Sequence, residues 1–480
     1  MYVTSSRLIR AALAVIAVAS AWLAVASSAS ATVPVTQTSM PGFEAPETPA
    51  KYNQVGVIKV GSPQASNVLV FEPGTSAGAG YFVPFAKWVV EHATGWQVWA
   101  VERRENLIED QSELDKAKTG EATPEELFNY YLGWLSKPPG TIEPHFKFVP
   151  DSTVAFARQW GMNVAVEDLN RVIEAAKELH GAVVLGGHSL GGSIVTAYAT
   201  WNFHGGKAGA VGLRGLVYDD GGSNPIPVSA KKAEESLEKL SKKTPWLAFG
   251  GVPTPFLGIL SALGSTLTVI DPKGEALLEK FSGLPESLRC SIPPFAKMFV
   301  KCTNEGGFGY STSVGSSPPN LKAGQIHGGK GLEEVAEADG LHGWNGEGAL
   351  TPVQRYAEML SGTGLSSADG TEWYFPERLT IDTGAVANGN ENPAQSVLDV
   401  HSTQGSNLPQ VLKIYAFATE LGKQGVLTSA ETLAKQSEIP SSNLTLINEE
   451  NTYAHNDPAG AYPNNEFFNH LVPFLEGIAK

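Results

Sequence analysis

The chain has 480 residues, with 49 acidic against 34 basic side chains and a formal net charge of −15. That balance disfavours nucleic acid and anionic membrane surfaces as partners, because both are bound through Lys and Arg. Only two cysteines are present, without the ligand set of a structural zinc site, and the length exceeds one typical domain.

At the N-terminus, Arg7 and Arg10 precede an almost wholly apolar run from Ala11 to Ala26, and Ala29-Ser30-Ala31 supplies small residues for cleavage. This pattern predicts a signal peptide over 1–31 and a secreted, extracytoplasmic protein after cleavage near Ala31. The run is short for a membrane span, which takes ~20 residues, so no stable span is expected in the mature chain. Losing Arg7 and Arg10 with that segment takes the net charge from −15 to −17. Residues 32–50, rich in Thr, Ser and Pro, read as a linker.

Strands are predicted over Val55 to Val60 and Asn67 to Phe71. The second runs into Gly74-Thr75-Ser76-Ala77-Gly78 and then a helix whose Phe82, Phe85, Trp88 and Val89 suit one buried face. Another strand is expected over Gln97 to Val101. The stretch from Glu105 to Met162 is longer than the usual connection, and Val166, Leu169, Ile173 and Ala176 then recur at helical spacing. A short apolar strand, Ala182 to Leu185, meets Gly187-His188-Ser189-Leu190-Gly191, and a helix starts immediately after it. A serine between small residues at such a junction is held on a sharp, strained turn with its hydroxyl exposed. The same five-residue pattern at Gly74–Gly78 lies near the start of the alternation, so Ser76 is the weaker candidate nucleophile. The next strand, Gly215 to Tyr218, ends at Asp219-Asp220-Gly221-Gly222.

Residues 221–407 interrupt the rhythm and are too long for a loop, so an inserted cap domain is expected there. Within it Ser229 to Lys243 is a charged helical face. Thr244 to Ile270 holds no charged residue and reads as cap core or as an apolar lid or acyl pocket, while Pro253 and Pro255 argue against a membrane helix. Cys290 and Cys302, in the same insertion, could close a small loop by a disulfide or stay as thiols. Gly324 to Lys330 matches part of a phosphate loop, but Gly331 replaces the hydroxyl residue and no strand precedes it. Two late strands, Val411 to Phe417 and Asn443 to Ile447, flank Glu420. His455 follows the last of them in Tyr453-Ala454-His455-Asn456-Asp457-Pro458, and His470 lies in the final helical pattern.

Apolar strands alternating with helices predict an α/β class with a mostly parallel, doubly wound sheet. With the serine elbow and the late histidine, the sequence resembles the α/β-hydrolase superfamily, of the secreted serine esterase and lipase type. The resemblance covers Val55 to Val101, Val164 to Gly222 and Val411 onward; it does not cover the insertion. It implies an α/β-hydrolase core in two parts, 51–220 and 408–480, around the cap at 221–407. It also implies a chemistry: Ser189 as nucleophile, His455 as general base, and a carboxylate orienting the imidazole. The carboxylate stays open between Asp220, Asp219 and Glu420. Backbone N–H groups of Leu190 and of Thr75 or Ser76 would form the oxyanion hole. The expected reaction is hydrolysis of small-molecule or lipid-like carboxylic esters through an acyl-enzyme, with neither cofactor nor metal. Amide cleavage of the exopeptidase kind and extracellular acyl transfer are the alternatives on the same scaffold, followed by a binding protein that has lost catalysis.

Overall fold

The centre of the molecule is an eight-stranded sheet: β1 (Val35–Pro41), β2 (Gln54–Val60), β3 (Asn67–Glu72), β4 (Trp96–Glu102), β5 (Val183–His188), β6 (Gly215–Asp219), β7 (Lys413–Ala418) and β8 (Leu444–Asn448). In this computed structural model, residues 32–203, 205–277, 301–317, 319–335 and 340–479 are described. The strand order is β1-β2-β4-β3-β5-β6-β7-β8. β1 and β2 run antiparallel to their neighbours, and every pairing from β4 to β8 is parallel. This is the α/β-hydrolase fold. Strands β4, β5 and β6 are buried along their whole length, as parallel strands covered on both faces must be.

One face of the sheet carries helices α1 (Val83–His92) and the C-terminal Glu466–Ala479, the other α2 (Met162–Lys177), α3 (Leu190–Ala199) and Lys423–Gln436. The apolar side chains fall accordingly into two large clusters. In one, Val166, Leu169, Val172 and Ile173 pack with Ile194 and Val195. In the other, Phe82, Phe85 and Val89 pack with Phe467, Phe468 and Leu471.

Residues 32–50 are more than a connector. Val35–Pro41 is the antiparallel edge strand β1, in register with the whole of β2 from Val35 opposite Val60 to Pro41 opposite Gln54. Its side chains are mostly exposed, so it lacks the apolar alternation that marks a half-buried strand. The expected signal peptide at 1–31 lies outside the described residues, as does Cys290; Cys302 is fully buried.

The insertion between β6 and β7 packs as part of the same body, since Val33–Lys480 forms one compact unit. Its segments join every apolar cluster: Val353, Tyr356 and Leu360 pack with Phe82 and Phe85, whereas Phe375, Leu379 and Leu398 pack with the α2 and α3 side. The charged stretch is a helix, Ala230–Ser241, capped by Ser229, with Ala233 and Leu240 as its buried residues. The uncharged stretch contains helix α4 (Thr254–Ile270), with Pro255 in its first turn, where a missing N–H costs nothing. Helix α4 forms a third apolar cluster with residues of the long connection after β4, among them Leu127, Tyr131 and Trp160. Among the described residues, no helix is long and apolar enough to cross a membrane. Gly324–Lys330 has no strand before it, and Lys330 pairs with Glu347 at 2.6 Å.

Candidate active site

Ser189 stands between β5 and α3 with φ 57° and ψ −123°, a backbone conformation that side chains avoid. The turn exists because its neighbours are small. A Cβ on Gly187 would lie 2.4 Å from the carbonyl carbon of Gly191, and one on Gly191 would lie 2.3 Å from the Glu72 carbonyl oxygen. Ser189 N–H donates to Asp219 O at 2.9 Å, which ties the elbow to the end of β6. Ser193 Oγ donates to Gly222 O at 2.6 Å on the next turn of helix.

One residue past β6, the Asp220 carboxylate faces His455, and Nδ1 of the imidazole donates to Oδ2 at 2.5 Å. Both side chains are almost fully buried. Asp220 also accepts from the backbone of Thr419 at 2.8 Å, from the Thr419 hydroxyl, and from Gly422 N–H at 3.2 Å. Burial pushes this carboxyl up, but hydrogen bonds from His455 and Thr419 outweigh it and hold the group below its ordinary value. Asp220 is therefore ionised at neutral pH. An Nδ1 proton committed to Asp220 selects the tautomer in which Nε2 is the acceptor.

The other two candidate carboxylates are placed elsewhere. Asp219 is buried with neither oxygen hydrogen-bonded, and burial, then the Asp220 charge, keep it protonated well above the usual carboxylate range. Glu420 pairs with Lys322, each side chain 37% exposed. Of the three, Asp220 is the one the structure brings to the imidazole.

His188, beside Ser189 in sequence, supports the histidine loop from beneath. Its Nε2 lies 3.0 Å from the His455 carbonyl oxygen, which can only accept, so Nε2 carries the proton. Burial and then the neighbouring His455 push the ring down to about 3, so it stays neutral. It also stacks on Tyr81, whose hydroxyl donates to Asn456 Oδ1 at 2.9 Å. His470 sits away from this region, on the C-terminal helix, 3.8 Å from Glu466.

The loop after β3 closes the other side. A Cβ on Gly74 would approach Ser189 Cβ to 2.9 Å, so this loop runs directly against the elbow. Among the described residues, the N–H groups of Leu190 and Thr75 donate to no protein acceptor. The same holds for the Ser76 N–H, whereas the Ser76 hydroxyl donates to the Glu372 carbonyl at 2.7 Å.

Above these residues opens a cavity of about 550 Å³, walled jointly by the core and the insertion. Ser189, His455, Thr75 and Tyr81 line its floor, while Leu257, Leu260 and Ser261 of α4 line its wall with Phe308, Tyr356 and Leu360. Among the described residues, no Asp, Glu, Lys or Arg lines it. Among the described residues there is also no group of acidic, His or Cys side chains able to hold a metal.

Two supports of the site gave no sequence signal. Asp457 accepts from the backbone of Ala454 at 2.7 Å and of His327 at 3.0 Å, and its Oδ2 lies 2.6 Å from His327 Nδ1. It thereby ties the His455 loop to the insertion. The hydrogen bond to Asp457 raises the His327 pKa despite partial burial. The second support is Arg103, immediately after β4.

Neither the scan against family models nor the search of curated proteins found a match. Solved structures do align along most of the chain. A thermostable carboxyl esterase from Bacillus coagulans aligns at 13% identity over 93% of this chain and 99% of its own, with a TM-score of 0.39. A soluble variant of monoglyceride lipase from Saccharomyces cerevisiae gives 11% identity, 94% and 97% coverage and a TM-score of 0.36. The thioesterase domain of the curacin biosynthetic pathway gives 10%, 93% and 100%, and 0.36. Likenesses at this level carry no argument about what is cleaved.

Proposed function

We propose that this chain is a serine hydrolase that cleaves uncharged carboxylic esters through an acyl-enzyme. The observation that carries this reading is the buried hydrogen bond from His455 Nδ1 to an ionised Asp220, with His455 lining the same cavity as a serine on a strained elbow. In this reading Ser189 Oγ attacks the ester carbonyl carbon while His455 Nε2 takes its proton. The oxyanion of the tetrahedral intermediate is held by the Leu190 and Thr75 N–H groups. The intermediate collapses, His455 returns the proton to the departing alcohol oxygen, and an acyl-Ser189 ester remains. Water activated by the same nitrogen attacks that ester and the carboxylic acid leaves. Asp220 stays ionised throughout and stabilises the imidazolium.

The uncharged cavity supports an ester over a peptide. Holding a peptide terminus takes a complementary charge, and among the described residues no Asp, Glu, Lys or Arg lines the walls. The volume and apolar wall favour acyl groups larger than acetyl. Export after cleavage near Ala31 belongs to the proposal, and N-terminal sequencing of protein recovered from the medium tests it.

The decisive experiment is hydrolysis of nitrophenyl esters from acetyl to palmitoyl by wild type and Ser189→Ala. Wild-type turnover with a loss of about 10³-fold or more in the variant supports the assignment. Undiminished turnover in the variant, or a wild type that neither cleaves esters nor labels with a fluorophosphonate, overturns it.

A further inference from the structure

The loop that faces Ser189 is shaped from behind by one buried arginine. Arg103 Nη1 donates to Pro73 O at 2.9 Å and to Glu72 Oε1 at 3.3 Å. Nη2 donates to Gly74 O and to Ala77 O, both at 3.0 Å. The guanidinium is 5% exposed and lies 5.4 Å from the centre of the Phe375 ring. Three carbonyls of a five-residue loop thus converge on one planar group. In a trans peptide the carbonyl and the N–H point opposite ways, so the Gly74 carbonyl held by Arg103 turns the Thr75 N–H away from the guanidinium, in a loop that lines the cavity together with Ser189.

The insertion grips the same loop from its other edge. Glu372 N–H donates to Ser76 O at 3.0 Å while the Ser76 hydroxyl donates to Glu372 O. Gly78 N–H donates to Gly370 O at 3.1 Å, and Ala77 and Thr371 form an antiparallel bridge. The Glu372 carboxylate lies 4.0 Å from Arg103 Nε. Ser76 keeps a positive φ of 55°, which a side chain holds only where its surroundings enforce it.

We propose that Arg103 is a positioning residue of the ester hydrolysis: held between Glu72 and Glu372, it fixes the carbonyls of Pro73, Gly74 and Ala77 so that the Thr75 N–H faces the oxyanion at Ser189. The proposal rests on the reading of Ser189 as nucleophile. Arg103 touches neither substrate nor the reacting atoms; it acts through the loop. Lys cannot replace it, because an ammonium lacks the fork that reaches three carbonyls at once.

The test uses Arg103→Lys, which keeps the charge, and Arg103→Gln, each normalised to the number of sites titrated at the end point by a fluorophosphonate. Losing one oxyanion donor costs about 10²–10³ in rate, so kcat per titrated site should fall at least ~30-fold in Arg103→Lys, with KM within ~3-fold. An alkyl boronic acid, which places an anionic oxygen in the same spot, should lose affinity by the same factor, whereas the carboxylic acid product should bind as before. A role in folding alone would lower the number of titrated sites and leave kcat per site and the boronate affinity unchanged; that outcome overturns the proposal. If Arg103→Gln does not fold, Arg103→Lys decides. A wild type that cleaves no ester and takes no label refutes the nucleophile instead, a result distinct from an active wild type with an indifferent Arg103→Lys.

Discussion

Ser189 holds φ 57° and ψ −123°, a conformation that costs a side chain of order 1–3 kcal/mol. Ser189→Gly relieves that cost, partly offset by the ~0.5–1 kcal/mol glycine adds to the unfolded chain's entropy. The variant should melt above the wild type while losing ester hydrolysis, and an equal or lower midpoint in a thermal melt would show that the elbow stores no strain. Asp220 and Glu420 separate just as cleanly. Asp220→Asn should lower kcat by about 10⁴ by removing the charge that fixes and stabilises the imidazolium. Glu420→Gln should leave kcat within ~2-fold, because it gives up only a half-exposed pair with Lys322. Comparable losses in both would mean that the acid is misassigned.

Helix α4 presents Leu257, Leu260 and Ser261 to the cavity and packs against Trp373 at Gly258, where a Cβ would approach to within 2.7 Å of the backbone. Ser261→Trp should therefore shorten the preferred acyl chain, lowering kcat/KM for decanoyl and longer esters by ~10-fold or more while acetyl esters change little. A uniform loss across chain lengths would place the acyl group elsewhere. The elements differ in how plainly they are written in the sequence. Strands β3 to β7 are short apolar runs whose burial on both faces leaves a direct mark, and the elbow is marked by the glycines that its close contacts require. Strand β1 is largely exposed on both faces, so the consecutive Thr36, Gln37, Thr38 and Ser39 look the same as a linker. The acid stayed open because Asp220 and Glu420 follow paired strands at the same end of the sheet, with Asp219 directly opposite Phe417. Which of them meets His455 depends on a turn with φ 45° at Asp220. Arg103 and Asp457 act through backbone groups distant in sequence, and such contacts leave no periodicity to read.

On the scale of the whole molecule, Arg103, with Arg104 near Glu105 and Lys118 near Asp369, serves a larger number of buried carboxylates that join β3, β4 and the insertion. Burial first, only partly countered by Arg103, raises Glu72 to about 7; burial likewise raises Glu102 to about 8, and Asp369 to about 6. Glu105, Glu109 and Glu372 are raised for the same leading reason. Each folded-state value lies above its unfolded one, so the folded chain binds more protons and stability falls as pH rises from about 4.5 through about 8. The urea midpoint should therefore be lower at pH 8.5 than at pH 6, and Glu102→Gln should flatten that slope; a midpoint that holds or rises across this window would contradict it. The chain order of the site has a consequence for biosynthesis. Nucleophile and acid leave the ribosome early, at residues 189 and 220, but the base arrives only at residue 455, after the whole insertion. A nascent chain thus carries its serine without the base until residue 455 has been made, so the proposed hydrolase cannot cut before the insertion has been synthesised.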